Sequence, residues 1–282
     1  MIRVICDNLS DINKDFAREN NVIVLPTFYY FDENEIYGGE IELSRDEFFE
    51  NLKTKRAFSS CINLGDTIDI FNKIMEDGDD IVYISFSSKL SSCYQVANMA
   101  KDEVDGEGRI FIIDSLFASY PLALMVEDVL NLIKEGKSAN EIFDIMEMKK
   151  LNYDVVFTTN ELDYLVRGGR LSPTSGAIGN LLSIKPILSF KDGGIFVLEK
   201  ARGQGKSYQK LIDYMKRNNY KEDRVVVVYA YENDCKDRLL EMLEKEGIVP
   251  YHVGEIGFSI VTHLGPSGLG IIFEKRESED NV

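Results

Sequence analysis

The sequence predicts an α/β protein of two α/β domains, the first on a mainly parallel sheet flanked by helices, the second on a mixed sheet. Three observations carry that expectation. Short apolar runs alternate with amphipathic stretches through the first half of the chain, the pattern of a parallel sheet covered on both faces. In the second half, two apolar runs flank Lys191-Asp192-Gly193-Gly194, turn chemistry that favours a hairpin and hence antiparallel pairs. A length of 282 residues suits one large or two moderate domains. We place the boundary near residue 152, giving domains 1–152 and 153–282.

IRVICD opens the chain as a buried strand ending in Asp7, and Ile12 to Asn20 reads as a helix. NVIVLPTFYYF is a second strand region, interrupted by Pro26. Ser44 and Glu47 have capping-box spacing before the amphipathic EFFENLK. Asp66 suits the cap of a helix carrying Ile68, Ile70, Phe71 and Ile74. DIVYISF is a buried strand, a helix follows from about Ser91, and RIFIID is the next strand. Leu122 to Glu135 and Ala139 to Lys149 read as helices. DVVFTT then forms a strand and ELDYLVRG a short helix, before the hairpin of Ile187–Phe190 and Ile195–Leu198. A helix around Lys206 to Arg217, the strand RVVVVYA, a helix from Cys235 to Glu246 and the strand LGIIFE complete the chain.

Net charge is −16, from 32 basic and 48 acidic residues. A field of that sign opposes nucleic acid and anionic lipid surfaces, so an anion site here needs local donors. Cys6, Cys61, Cys93 and Cys235 form no CxxC pair and no zinc-ligand spacing; they read as reduced thiols of a cytoplasmic protein. The N-terminus lacks signal-peptide features. No apolar run approaches the ~20 residues of a spanning helix.

Four clusters offer chemistry. Phe58-Ser59-Ser60-Cys61 places two hydroxyls in a loop before a helix, either a plain polar loop or an anion contact. Ser87-Ser88-Lys89-Leu90-Ser91-Ser92 follows a strand and opens a helix, with Ser91 or Ser92 as N-cap. Its plain reading is capping; the other is a carboxylate or phosphate site at the helix start. Thr262-His263-Leu264-Gly265-Pro266 offers one of only two histidines in a loop, as general base, anion donor or inert surface group. His252 reads as structural, in a strand-like context. Between Tyr164 and Lys206, seven basic residues face only Asp192 and Glu199, leaving five positive charges in an acidic chain. That island is either a solvated surface or a docking face for an acidic partner or phosphate.

The order of these clusters resembles the DegV family, better-known members of which are the fatty-acid-binding subunit of bacterial fatty-acid kinase. The resemblance runs essentially end to end. It covers Asp7 with Ser10-Asp11, Ser59-Ser60 with Gly65-Asp66, Ser87 to Ser91 with Tyr94-Gln95, and Asp114-Ser115 with Ala118-Ser119. It continues through Arg167-Gly168-Gly169-Arg170-Leu171-Ser172, Ile184-Lys185-Pro186-Ile187, Lys191-Asp192-Gly193, Lys200 with Arg202, and Thr262-His263 with Gly265-Pro266. The chain departs from the family at Asn8-Leu9, Cys61-Ile62, Ser92-Cys93 and Pro121, and Ser59 replaces a commoner threonine.

The resemblance implies two α/β domains with one long-chain fatty acid between them and no other cofactor or metal. Its carboxylate falls to Ser59, Ser91 and His263, with Ser60 and Ser92 alongside. Arg170 and Arg202, with Arg167, fall to the docking of the kinase partner and the phosphoryl group. The ATP-dependent kinase subunit supplies the chemistry; this chain is non-catalytic and carries acyl-phosphate toward phospholipid synthesis. Physically, the tail needs an apolar tunnel worth ~0.8 kcal/mol per buried methylene, and the head must not be buried unpaired. The alternative is a serine hydrolase or thioesterase using Ser91 and His263 with an acid such as Asp7 or Asp114, though no GxSxG elbow occurs. No P-loop or dinucleotide fingerprint supports a nucleotide enzyme. A pure interaction protein working through the basic island is the third alternative.

Overall fold

Strand β1 (Ile2–Asp7) is paired in parallel on both sides, with β2 (Ile23–Leu25) and β6 (Asp80–Ser85). The computed structural model describes residues 1–32, 35–39, 41–106, 108–172, 184–231 and 234–276. Within them the chain divides into two compact units, residues 1–150 with 257–262, and residues 151–256 with 263 onward.

The first unit is built on a four-stranded parallel sheet in the order β2-β1-β6-β7, with β7 at Ile110–Asp114. Its central strands read as continuous apolar runs because both faces are covered; Ile5, Ile81, Tyr83, Ile84 and Ile113 have no solvent exposure. The covering helices are α1 (Lys14–Glu19), α3 (Leu64–Glu76), α4 (Cys93–Asp102), α5 (Tyr120–Lys134) and α6 (Ala139–Lys149). On α3 the buried Thr67, Phe71 and Ile74 recur at three- and four-residue spacing, the stripe of a core-facing helix. Asn63 rather than Asp66 caps α3: its side chain accepts the Asp66 N–H. Asp66 instead sits in the first turn, where its charge suits the helix dipole. The expected helix from Ile12 is shorter, because Asn13 accepts the N–H groups of Asp15 and Phe16 and starts α1 at Lys14.

The two runs around Pro26 belong to different sheets. β2 stays in the parallel sheet, whereas β3 (Phe28–Asp32) is the middle of an antiparallel three-stranded sheet with β4 (Glu35–Tyr37) and β5 (Phe58–Ser60). Helix α2 (Arg45–Thr54) begins with the expected Ser44–Glu47 capping box. It buries Phe48 and Phe49 beside Tyr29 and Phe258, with the Phe48 and Phe258 rings stacked at 4.4 Å.

The second unit is a mixed six-stranded sheet, ordered β10-β9-β8-β13-β11-β12. Its strands are β8 (Tyr153–Thr158), β9 (Ile184–Lys191), β10 (Gly194–Arg202), β11 (Tyr220–Tyr229), β12 (His252–Glu255) and β13 (Leu269–Lys275). The hairpin falls where its turn chemistry puts it. Asp192 (φ 50°) and Gly193 (φ 83°) form a two-residue loop between Lys191 and Gly194, with the left-handed backbone that a tight hairpin needs. Helices α8 (Gln204–Arg217) and α9 (Asp234–Lys245) bury Leu211, Ile212, Met215, Leu239 and Leu243 in one core with Val225, Val227, Ile271 and Phe273 of the sheet. Two further helices, α7 (Leu162–Arg167) and α10 (Phe258–Leu264), are short. Among the described residues no helix is long and apolar enough to cross a membrane.

Candidate functional site

In the first unit the polar residues singled out in the sequence gather at the carboxyl ends of the parallel strands, where open α/β sheets bind ligands. β1 ends in Asp7, β6 in Ser85 and β7 in Asp114. The loops after β6 and β7 are stitched together: Asp114 Oδ1 accepts the N–H groups of Ser88 (3.1 Å) and Leu116 (3.2 Å). The Ser87 N–H reaches the Phe117 carbonyl at 3.0 Å. Asp11 (φ 51°), Leu116 (φ 65°) and Ser119 (φ 68°) all hold left-handed backbone here. Such strain in non-glycine residues persists only where the surroundings enforce it.

Two carboxyls lie beneath these loops, Asp7 fully buried and Asp11 partly buried. Asp7 Oδ2 accepts the Phe86 N–H at 2.9 Å. Oδ1 is buried without a well-formed hydrogen bond. Burial raises the Asp7 pKa to about 7, against the opposing effect of its hydrogen bonds. Asp11 accepts the Ser119 hydroxyl on Oδ2 and the Gly257 N–H on Oδ1, and burial raises it likewise to about 7. Neither environment was legible from the sequence, which shows only acids after a strand.

Ser91 stands at the start of α4. Its Oγ accepts the Cys93 N–H at 3.3 Å and lies 3.1 Å from Cys93 Sγ. It thus acts as the cap, although Ser92 is the residue immediately before the helix and caps nothing with its side chain. Tyr94 and Gln95 bring the next N–H groups of that helix end. The Cys93 thiol is also approached by the Ile62 N–H, and burial pushes its pKa up to about 12. The Ser91 loop therefore adjoins the segment that follows Ser59 and Ser60.

That segment is not the loop expected from sequence. Ser59 and Ser60 lie in β5, paired with Tyr29 and Phe28 of β3. Successive strand residues point to opposite faces; Ser60 is exposed and Ser59 half-buried, so one ligand does not meet both side chains.

His263 likewise lies in the last turn of α10 and not in a loop. Within the second unit its ring adjoins the end of α7. Arg170 Nη1 is 3.4 Å from His263 Nδ1 and also donates to the Gly168 carbonyl. A Cβ at Gly168 would collide with Nδ1, and one at Gly265 would fall 2.9 Å from the Tyr164 ring. Gly169 (φ 73°) ends the helix, letting the Arg170 N–H reach the Leu165 carbonyl at 2.9 Å. Sequence reading assigned His263 and Arg170 separate roles; the fold makes them neighbours. Arg167 is exposed over the Tyr164 ring, 5.1 Å from its centre. Arg202 is exposed at the end of β10. Glu199, one of the two acids within the basic island, is taken up by Lys210 and Arg217 outside it and so offsets none of the island's own cations. His252 lies in β12, the strand context expected for it, and burial lowers its pKa. Among the described residues no group of three His, Cys, Asp or Glu converges as a metal site.

The fold and these loops define a two-unit α/β protein with hydroxyl-rich loops at the carboxyl edge of a parallel sheet and an imidazole–guanidinium pair in its mixed-sheet unit. The chain belongs to the DegV family: the family model described as "Uncharacterised protein, DegV family" matches residues 1–276. A DegV domain-containing protein of Caldanaerobacter subterraneus subsp. tengcongensis is 30% identical over 279 residues, covering 98% of this chain and 99% of the relative. Two solved structures are similar throughout. A DegV family protein from Thermus thermophilus, described by its fatty acid binding, has a TM-score of 0.87 at 25% identity, over 98% of this chain and 99% of its own. DegV of Bacillus subtilis, a fatty acid binding protein, has a TM-score of 0.82 at 28% identity, with the same coverage.

Proposed function

We propose that this chain binds one long-chain fatty acid in an apolar tunnel and presents its carboxylate to an ATP-dependent kinase subunit, which converts it to acyl-phosphate. The observation that carries the binding step is the end-to-end likeness to the fatty-acid-binding DegV of Bacillus subtilis, over 98% of the chain. The carboxylate is taken by the hydroxyls of Ser59 and Ser91 and the imidazole of His263, with Ser92 on the rim; Ser60, on the opposite face of β5, falls outside this set. Supporting this, Ser91 sits at a helix start whose N–H groups and dipole favour an anion. Hydrogen bonds to a charged acceptor are stronger than neutral ones. The exposed Arg167 and Arg202 suit docking of an acidic partner or a phosphoryl group. The chain itself performs no bond chemistry in this reading. The hydrolase alternative is disfavoured because His263 Nδ1 faces a guanidinium, where a catalytic triad places a carboxylate.

The test is denaturing extraction and mass spectrometry of the protein purified from a bacterial host, then a kinase assay with ATP. We expect about one fatty acid per chain, and acyl-phosphate only when a kinase subunit is added. Protein that releases no fatty acid and takes up none when offered it would end the proposal. Turnover of simple esters would favour the hydrolase.

A further inference from the structure

We propose that Arg170 is a positioning residue for His263: it holds the ring with its proton on Nε2 and so makes Nε2–H the donor offered to the bound acid group. The inference rests on the fatty-acid reading and deepens it, moving Arg170 from partner docking to the head-group site. Its geometry lies wholly within the second unit. Arg170 Nη1 is 3.4 Å from His263 Nδ1. A guanidinium donates hydrogen bonds and accepts none. Nδ1 must therefore be the acceptor, and a neutral imidazole then carries its hydrogen on Nε2.

Both partners are held for this role. Arg170 is fixed by its second bond to the Gly168 carbonyl and by the backbone turn in which the Arg170 and Leu171 N–H groups reach the Leu165 carbonyl, at 2.9 and 3.2 Å. The guanidinium is half-buried, and loss of solvent lowers its pKa. The ring is received by Gly168, where any side chain would strike Nδ1. Arg167-Gly168-Gly169-Arg170 thus supplies a slot for the imidazole and the charge that orients it. A donor fixed before the ligand arrives spares the site the cost of sorting tautomers on binding.

The experiment is a long-range proton–nitrogen NMR spectrum of the protein with ¹⁵N-labelled histidine, near pH 8, without lipid and then with oleate. The chain has two histidines, so His263→Gln assigns the signals. The unmutated protein should show Nδ1 bare and Nε2 protonated at His263 before oleate is added. Arg170→Met keeps much of the aliphatic stem but removes the donor; it should shift the ring toward the other tautomer and weaken oleate binding about tenfold. Arg170→Lys, which restores a donor, should recover the Nε2–H pattern in whole or part. The His252 signals report whether each variant is folded. A hydrogen on Nδ1 in the unmutated protein, or an unchanged tautomer in folded Arg170→Met, would overturn the assignment. An Arg170-dependent tautomer in a protein that takes up no oleate would instead overturn the fatty-acid reading and leave the Arg170–His263 assignment standing.

Discussion

Asp11 Oδ1 holds the backbone N–H of Gly257 at 3.0 Å, across 246 residues of chain. Its other oxygen takes the Ser119 hydroxyl. One partly buried carboxyl therefore ties the loop after β1 to the start of α5 and to the segment that runs through Phe258 to Thr262. A Cβ at Gly257 would lie 2.6 Å from Asp11 Oδ1, and Asp11 cannot swing away without breaking both bonds. Gly257→Ala should therefore destabilise the protein by about 1–3 kcal/mol, the usual cost of overpacking a closed site. Urea unfolding checks this, and an unchanged midpoint would mean that the site yields at little cost.

The second expectation concerns pH. Burial raises the Asp7 carboxyl from an ordinary 3.8 to about 7. The folded protein therefore holds a proton that the unfolded chain releases between those values. This group's contribution to stability is full below 3.8, declines as pH rises and is gone above about 7, at up to roughly 1.4 kcal/mol for each pH unit. Asp7→Asn retains an oxygen for the Phe86 N–H and does not titrate. Relative to the unmutated protein it should gain stability steadily from pH 4 to pH 7. Parallel stability curves for the two proteins would show that Asp7 titrates normally.

The third prediction is on ligand affinity. A hydrogen bond to a carboxylate is worth about 1.5–3 kcal/mol. Ser91→Ala should thus weaken fatty-acid binding by roughly 10- to 100-fold, and Ser91→Thr should restore much of it. The Cys93 N–H loses its acceptor in the alanine variant, so affinity is measured by titration of a fluorescent fatty acid at a temperature where unfolding controls show the variant folded. Equal affinity in Ser91→Ala would remove Ser91 from the head-group site.

Much of the architecture was legible because local chemistry agreed with global structure. Asp192-Gly193 announces its hairpin, and Ser44 with Glu47 announces α2. Where the reading missed, long-range pairing decided. Phe58 to Ser60 has only three strand residues, too few for an alternating pattern, and is extended because β3 recruits it. Asn63 outcompetes Asp66 because a cap must precede the first turn. Pro26 was visible as an interruption, but nothing local says that the two flanking runs enter different sheets. The candidate site was legible as residue types in order. Its pairings were not: Arg170 and His263 lie 93 residues apart, and burial turns Asp7 and Asp11 from surface-like acids into groups titrating near neutrality.

The last prediction isolates a buried charge far in sequence from those loops. Glu274, near the end of β13, is 2% exposed and pairs with Lys221 and with Arg224 Nε, the latter at 3.1 Å. Removing one member of a buried ion cluster costs more than the cluster contributes, because the remaining charges have already left water. Lys221 is 33% exposed, which softens the penalty, but Arg224 is only 14% exposed. Glu274→Gln keeps the shape and one acceptor while removing the carboxylate that Lys221 and Arg224 both face. It should lower stability by roughly 2–3 kcal/mol, below the full cost of a wholly buried pair. Adding Lys221→Gln should recover part of that loss, since the double variant leaves one cation instead of two beside the neutral amide. A urea-derived double-mutant cycle measures the coupling directly. If the losses simply add, the cluster is acting as a set of independent surface charges and its burial carries no electrostatic cost.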